Sequence, residues 1–531
     1  MAFNTLTFIG FFVIVLALYY LVPKKYQWVF LLASSYFFYL YASVKFAAFI
    51  LLTTISSYYV AINIDNSHKH EKQILAEGKE TLTKEEKKAI KEEGKKKRKR
   101  ALVLLLLLNF GILVFLKYFN FFAENLNLII KPMTDSGKIP TLNLILPLGI
   151  SFYTFQTMSY VIDVYWQKIE AERNIAKVAL FVSFFPQIIE GPIGRYKELG
   201  PQLYERHKAD AQTIKYGLQL MIWGYFKKLV IADRVGIVAD HVFSGYDNMS
   251  GSVIAVGVFL YAIQDYTDFS GCIDIARGVA QCMGITMAEN FKRPYFSRTI
   301  PEFWRRWHMS LGAWMKDYVF YPFSLTKKMR NLSKSAKNKF GRHFGATLPI
   351  AIGNILVFFL VGVWHGASWN YIVWGLYYGI LIAISGMIKP VYDYLNDKLH
   401  INTKSWPWQA WQIIRTFWLT CVGCIIFRAE GLVDAWHVFV RSLNIFDLPA
   451  NYVKEFLMLG IKPTDLLIIP ISILILLVVD IMQEHMDVRK WLENRNCIIR
   501  WVIYFIGFMF IVGLGIYGPG FDQSQFVYMQ F

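Results

Sequence analysis

Two histidines in strongly apolar surroundings are the chain's best candidates for chemistry. His308 lies in PEFWRRWHMSLGAWMKDY, and His365 ends the apolar run FFLVGVWH just before a glycine. If residues 301–318 form one helix, Trp304, Trp307 and His308 lie on the same apolar face. A neutral imidazole held near a hydroxyl can take its proton. The competing interpretation is a histidine satisfied by a backbone carbonyl inside a packed core.

Polar residues near the histidines could support such chemistry, although each also has a structural explanation. Arg305 could hold an anionic donor or anchor its helix at a membrane interface. Asp268, one of three aspartates in QDYTDFSGCIDIARG, could orient a histidine or pair with an arginine. Asn370 could hydrogen-bond His365 or a donor carbonyl, or it could cap the next helix.

The elements that must position these residues are predicted to be membrane helices. The chain has 531 residues, of which 55% are hydrophobic and 17% aromatic, and the apolar residues come in long blocks. About 20 apolar residues are needed for a helix to cross a bilayer. We therefore predict an all-α, multi-pass protein of the cell membrane with about a dozen crossings. Residues 181–196 are broken by proline and glycine, which predicts a re-entrant or cavity-lining element.

The net charge of +18 is concentrated in residues 69–100 and 327–342, between apolar blocks. Basic loops beside membrane helices indicate the cytoplasmic face and favour anionic lipid. Placing both clusters inside puts the N-terminus and the C-terminal tail outside. Residues 65–100 are predicted to be a cytoplasmic loop, either a solvated helix or a partly disordered hairpin. Nucleic-acid binding is not predicted, because these loops lack interleaved aromatic residues.

Several familiar catalytic arrangements are missing from the sequence. It contains no G-x-S-x-G elbow, no Walker loop and no H-E-x-x-H motif. Cys421 and Cys424 form a CVGC inside an apolar block, where small residues favour close helix packing. Neither a metal nor a bound redox cofactor is expected.

Taken together, the motifs resemble one family. EFWRRWHMSLGAWMKDY and VGVWHGASWN resemble the signature of membrane-bound O-acyltransferases (MBOAT). LPLGISFYTFQTMSYVIDVY, FFPQIIEGPIGR and ENFKRPYFSRTIPEFW resemble its bacterial cell-surface branch. That branch includes alginate O-acetylation proteins, peptidoglycan O-acetyltransferases and teichoic-acid D-alanyl transfer proteins. The resemblance implies a single acyltransferase domain over residues 1–531, with a ring or bowl of tilted helices around a central funnel or tunnel.

The resemblance also implies roles for individual residues within a catalytic core at residues 301–379. His365 matches the family's catalytic base, and His308 matches its second histidine position. The tail at residues 518–531 ends in FVYMQF, which resembles a tail whose tyrosine accepts the acyl group, so Tyr528 would act as a relay. The substrate passage is expected to be lined by Trp304, Arg305, Trp307, Trp364, Asn370 and Asp268.

The activity implied is transfer of an acyl group, expected to be acetyl, to an extracellular alginate-like polysaccharide or to peptidoglycan. The donor would be a cytoplasmic thioester, either acetyl-CoA or an acyl carrier protein. A secreted or membrane-anchored SGNH-type acyltransferase or esterase-like partner would take the group on the outer face. The loop PFSLTKKMRNLSK replaces the PLGGNR usual in alginate-type members, so alginate is not assumed.

Three alternatives stay open at this point. The first is D-alanyl transfer to teichoic acid from a carrier protein. The second is a non-enzymatic exporter of a lipid-linked or polymeric substrate, and the third is a structural scaffold for an exopolysaccharide complex. The exporter would require a polar pathway or paired broken helices, and the scaffold would tolerate substitution of both histidines.

Overall fold

The structure is a computed structural model that describes residues 1–130 and 138–517. These residues form helices joined by short loops, and no strand occurs among them. The all-α prediction is therefore confirmed. Tyr528 and the rest of the predicted tail lie outside the described residues.

The chain divides into two compact units. Unit 1 comprises residues 1, 6–217 and 279–288, and unit 2 comprises residues 2–5, 218–278 and 289–531. The prediction of one domain over residues 1–531 stays a prediction. The first helices are α1 (Leu6–Leu21), α2 (Gln27–Ala42), α3 (Ala47–Glu77), α4 (Lys84–Ile130), α5 (Ile150–Tyr165), α6 (Ile175–Ser183), α7 (Phe185–Ile188) and α8 (Tyr196–Tyr204).

The remaining helices contribute most of unit 2. They are α9 (Ala211–Tyr225), α10 (Asp233–Gly245), α11 (Gly251–Cys282), α12 (Ile300–Arg306), α13 (Met309–Met315), α14 (Tyr321–Ser324), α15 (Lys327–Phe340), α16 (Arg342–His365), α17 (Trp369–Met387), α18 (Lys389–Lys398), α19 (Trp406–Arg428), α20 (Leu432–Ser442), α21 (Tyr452–Met458), α22 (Asp465–His485), α23 (Val488–Glu493) and α24 (Cys497–Leu514). Two π-helical segments, Phe226–Ala232 and Lys316–Phe320, interrupt this series.

Seven described helices are long and apolar enough to cross a membrane: α3, α4, α16, α17, α19, α22 and α24. α1 is apolar but shorter. The multi-pass architecture is confirmed, whereas the number of about a dozen crossings stays a prediction. Many apolar side chains of these helices are exposed, as expected for surfaces that face lipid.

The polar insert at residues 65–100 is more helical than a loop. α3 continues through it as far as Glu77, and α4 begins at Lys84, so only a short turn separates two long helices. Each helix extends an apolar block into charged sequence, because once a helix has started each further residue adds a hydrogen bond. Of the two predicted forms, the solvated helix is the one observed.

The broken segment at residues 181–196 is irregular, as predicted. α6 ends at Ser183 and α7 lasts only from Phe185 to Ile188. Buried glutamines supply hydrogen bonds that the irregular backbone needs: Gln156 Nε2 donates to the Phe181 carbonyl at 2.6 Å, and Gln187 Nε2 donates to the Pro192 carbonyl at 2.7 Å. Its role as a re-entrant or cavity-lining element stays a prediction.

Unit 2 is held by close contact between α16 and α17. A side chain at Gly362 would collide with the Tyr371 carbonyl, and one at Gly375 would collide with the Phe358 carbonyl. Small residues on facing helices allow backbones to approach closely in membranes, where packing rather than the hydrophobic effect drives association. This contact fixes the helix end that carries His365.

Candidate active site

His308 lies in a break between two helices. α12 ends at Arg306 and α13 begins at Met309, while His308 itself has left-handed backbone angles, φ 44° and ψ 50°. The prediction of one continuous helix over residues 301–318 is therefore wrong. A non-glycine residue in this conformation costs about 1–3 kcal/mol and persists only where its surroundings impose it.

Asn290 imposes the break. Its side-chain oxygen accepts hydrogen bonds from the Ser310 amide at 3.0 Å and the Ser310 hydroxyl at 2.9 Å, and its backbone carbonyl accepts from the Met309 amide at 2.9 Å. In an unbroken helix, the Met309 and Ser310 amides would instead bond to carbonyls one turn earlier. Asn290 is fully buried. Sequence reasoning missed it, although it lies in the ENFKRPYF motif.

The same oxygen of Asn290 determines which nitrogen of His308 carries the proton. It lies 3.2 Å from His308 Nδ1. Because the backbone amide of Ser310 can only donate, the Asn290 atom that it contacts must be the oxygen. That oxygen can only accept, so His308 Nδ1 must donate to it. In the neutral ring, Nε2 is then the nitrogen that can accept a proton.

His365 is the last residue of α16, and Gly366 follows in an extended conformation. Three aromatic rings surround the imidazole. Its centroid lies 4.9 Å from Trp374, 5.0 Å from Trp364 and 5.2 Å from Phe427. A side chain at position 366 would collide with the Tyr371 ring, so the glycine lets the chain turn away directly after the histidine.

The structure brings the two histidines to the same tryptophan. The Trp364 ring centroid lies 6.0 Å from His308 and 5.0 Å from His365. Both histidines are buried, with 2% and 4% of their surface exposed. Phe269 packs edge-on against His308 at 4.9 Å. Two imidazoles thus lie close to the same indole in an aromatic environment.

Three of the predicted lining residues lie on α12 or directly after it. Trp304 packs edge-on against Tyr378 at 4.9 Å, and its buried indole nitrogen makes no hydrogen bond within the described part of the chain. Trp307 is buried against Phe291 at 4.9 Å. Arg305 is exposed, which suits an anchor on the surface of α12 better than a place beside the histidines.

Asn370 connects α17 to the end of α19. Its Nδ2 donates to the Ala429 carbonyl at 2.7 Å. The alternative role as a helix cap is wrong, because the Ser368 side chain accepts the amide hydrogen bond at the start of α17. Asn370 therefore fixes the helix that contributes Trp374 to the surroundings of His365.

Asp268 belongs to a buried ionic cluster. Its carboxylate lies 2.5 Å from Lys228 Nζ, which also contacts Asp233 at 2.8 Å. The neighbouring Lys227 contacts Asp274 at 2.7 Å. Both lysines lie on the π-helical segment Phe226–Ala232, and sequence reasoning missed them. Two adjacent lysines inside an apolar run were the available signal, since charges within membrane helices need partners.

Unit 2 contains a cavity of about 920 Å³ between α9, α11, α22 and α24. Charged side chains of both signs line it, among them Arg293, Glu484 and Arg489, and its lining is apolar along α24. Neither histidine lines it. Phe291 does, and it packs against Phe269 at 5.0 Å, which in turn packs against His308. Aromatic side chains therefore separate the cavity from His308.

The fold and the site define a multi-pass membrane protein with a pair of buried histidines. The model of the membrane-bound O-acyltransferase family, MBOAT, matches residues 170–428. The probable alginate O-acetylase AlgI of Pseudomonas putida is 33% identical over 88% of this chain and 85% of its own length. The chain belongs to the MBOAT family and is an acyltransferase.

Two further relatives lie in the same branch. The peptidoglycan O-acetyltransferase of Helicobacter pylori is 31% identical over 82% of this chain and 77% of its own length. The teichoic acid D-alanyltransferase of Bacillus subtilis is 30% identical over 55% of this chain and 71% of its own length. The resemblance inferred from the motifs is confirmed.

Proposed function

We propose that this protein transfers an acetyl group from a cytoplasmic thioester to a hydroxyl of a cell-surface polysaccharide. The observation that carries the proposal is the pair of buried imidazoles that both lie next to Trp364. O-acetylation is favoured over D-alanyl transfer because the O-acetylating relatives match 88% and 82% of the chain, against 55% for the D-alanyl relative.

In the proposed reaction, His365 acts as the general base. It takes the proton of the acceptor hydroxyl while that oxygen attacks the thioester carbonyl. The C–O bond forms, the C–S bond breaks, and the leaving thiolate takes the proton back from the imidazolium. The reaction therefore needs no net proton source. The surrounding aromatic rings exclude water, which would otherwise hydrolyse the activated ester.

His308 holds and orients a substrate in this scheme. Asn290 fixes its Nδ1 as the donor nitrogen, which leaves Nε2 as the nitrogen that accepts from a substrate hydroxyl or thiol. The left-handed backbone aims the ring toward Trp364. Trp304 supports the same role, because its buried indole N–H can donate a hydrogen bond to the carbonyl of the acyl thioester.

The cavity beside α24 is the proposed donor entrance. Basic residues favour the cytoplasmic side for the end of the cavity near the start of α24. They are Arg489, Lys490 and Arg495 between α22 and α24, and Arg500 in the first turn of α24. Charged lining residues and an apolar wall along α24 suit a thioester, whose carrier is polar and whose arm is extended and neutral. Phe291 lies between the cavity and the ring that covers His308, so donor passage requires this side chain to rotate.

Incubation of the purified, reconstituted protein with labelled acetyl thioester tests the proposed function. We expect thiol release and a labelled acetyl group on the polysaccharide or on an intermediate acceptor. Mass analysis of the product distinguishes acetyl from D-alanyl transfer. If polymer is exported while the thioester stays intact, the protein is an exporter and the proposal is wrong.

Tyr528 is proposed to receive the acetyl group before an SGNH-type partner at the outer face takes it. The Tyr528→Phe variant keeps the ring and removes only the hydroxyl that would accept the acetyl group, so we expect polymer acetylation to fall by about tenfold or more. Tyr517→Phe is the matched control. Unchanged polymer acetylation in the Tyr528 variant would remove the relay from the scheme.

A further inference from the structure

The outward surface of α15 carries an unusually uniform charge. The helix has 14 residues, six of them basic and none acidic. All six basic side chains are exposed, and together they are called the α15 basic face: Lys327, Lys328, Arg330, Lys334, Lys337 and Lys339. The first turns of α4, before its basic run at residues 95–100, differ because Glu85, Glu86, Glu92 and Glu93 lie among the lysines there.

α15 lies beside the beginning of a membrane helix. Gly341 alone joins it to α16, with φ at 89°, a conformation that favours glycine. The Ser333 hydroxyl donates to the Gly345 carbonyl at 2.7 Å, and the backbone of Lys337 packs against Gly345. The two helices therefore form a hairpin, and the α15 basic face lies near the point where α16 enters the bilayer.

We infer that the α15 basic face binds the headgroups of anionic phospholipids. Clusters of four to eight basic residues next to a membrane helix are attracted to the negative surface of the cytoplasmic leaflet, each contributing favourably within about a Debye length. No acidic residue of α15 offsets this attraction. Leu325, 69% exposed, and Tyr321, 46% exposed, precede the helix and offer apolar anchors for the same bilayer.

The chemistry of the surface favours lipid over an acidic protein. Between the basic residues, the exposed positions are Asn331, Ser335 and Asn338. Protein interfaces depend on a buried core of aromatic or large apolar side chains, and the exposed positions between the basic residues offer none. Binding to a layer of phosphate headgroups requires only the positive charges that this surface carries.

Binding here has a consequence for the site. The same hairpin that carries the α15 basic face leads into α16, whose last residue is His365. The π-helical segment before α15 also packs on α16, because Phe320 lies against Gly353. Lipid held at α15 therefore supports the beginning of the helix that positions His365 at its end.

The test uses the full chain purified in a neutral detergent, with dioleoylphosphatidylglycerol as the probe. The variant replaces Lys327, Lys328, Lys334 and Lys337 by glutamine, which keeps helix propensity and removes four charges. We expect its affinity for phosphatidylglycerol, measured by native mass spectrometry, to fall at least tenfold, since each lysine near the headgroups contributes substantially. Dioleoylphosphatidylcholine should bind equally to both proteins.

A matched control removes the same number of charges from the first turns of α4, by glutamine at Lys84, Lys87, Lys88 and Lys91. This variant should bind phosphatidylglycerol within about twofold of the natural chain, because four glutamates lie among the lysines that it replaces and offset their charge. Equal loss in the two variants would show that net charge alone governs binding and would overturn the proposal. So would a variant of α15 that keeps its lipid affinity but loses binding to an acidic acyl carrier protein.

Discussion

Replacing His365 by alanine is expected to reduce acyl transfer by about 10³-fold, because general-base catalysis contributes about 10²–10⁴-fold and the rings in contact with this imidazole cannot replace it. The imidazole ends α16 among Trp374, Trp364 and Phe427, none of which accepts a proton at neutral pH. Acetyl content of the cell-surface polymer, measured in cells that express each variant, reports the loss.

Two further variants separate catalysis from folding. His365→Gln keeps much of the side-chain volume but cannot act as a base at neutral pH, so it should be as inactive as the alanine variant and better packed. His343→Ala removes another histidine from α16, one that contacts the Met387 carbonyl at 3.2 Å, and should leave acetylation unchanged. Activity retained in His365→Gln would exclude a role for this imidazole as the base.

The second large effect is expected at Asn290, which touches His308 but takes no part in the proposed proton transfer. Asn290→Ala leaves the Ser310 amide and His308 Nδ1 without their acceptor, at about 1–3 kcal/mol for each buried group. The break at His308 then loses the hydrogen bonds that hold it, and the tautomer of the His308 ring is no longer fixed. We expect transfer to fall about 10²-fold, as for a misplaced catalytic group.

Asn290→Asp restores an acceptor oxygen of the same size and should recover thermal stability relative to the alanine variant. Asn109→Ala is the matched control, because Asn109 is also a buried asparagine, 2% exposed; it lies on α4 and donates to the Leu105 carbonyl at 3.1 Å. It should lose stability without a specific loss of transfer. If Asn290→Ala melts like the control and transfers acetyl at the natural rate, Asn290 does not position His308.

The helix end at His365 was predictable, while the break at His308 was not. At His365 the signal is local, since a glycine follows an apolar run and a helix commonly stops there. At His308 the apolar spacing favours a continuous helix, and the residue that prevents it, Asn290, lies 18 positions earlier in the chain. Spacing along one helix cannot reveal an acceptor supplied by another segment.

The same limit explains the ionic cluster around Asp268. The sequence shows that Asp268 lies among apolar residues, where a carboxylate must have a partner. The partners considered from the sequence were a histidine and the arginines near His308. The observed partner, Lys228, is 40 positions away in the chain and faces Asp268 through a π-helical segment. The sequence could predict that Asp268 needs a positively charged partner, whereas the identity of that partner depends on how the helices pack.

The most direct measurement is thiol release from acetyl thioester by purified protein in proteoliposomes, followed with a thiol-reactive dye. Beside the natural chain, the assay includes His365→Gln, His308→Gln and the His343→Ala control. We predict release by the natural chain and by the control, almost none by His365→Gln and a strongly reduced rate by His308→Gln. Release at the natural rate by both glutamine variants would contradict an acyl-transfer site built on these two imidazoles.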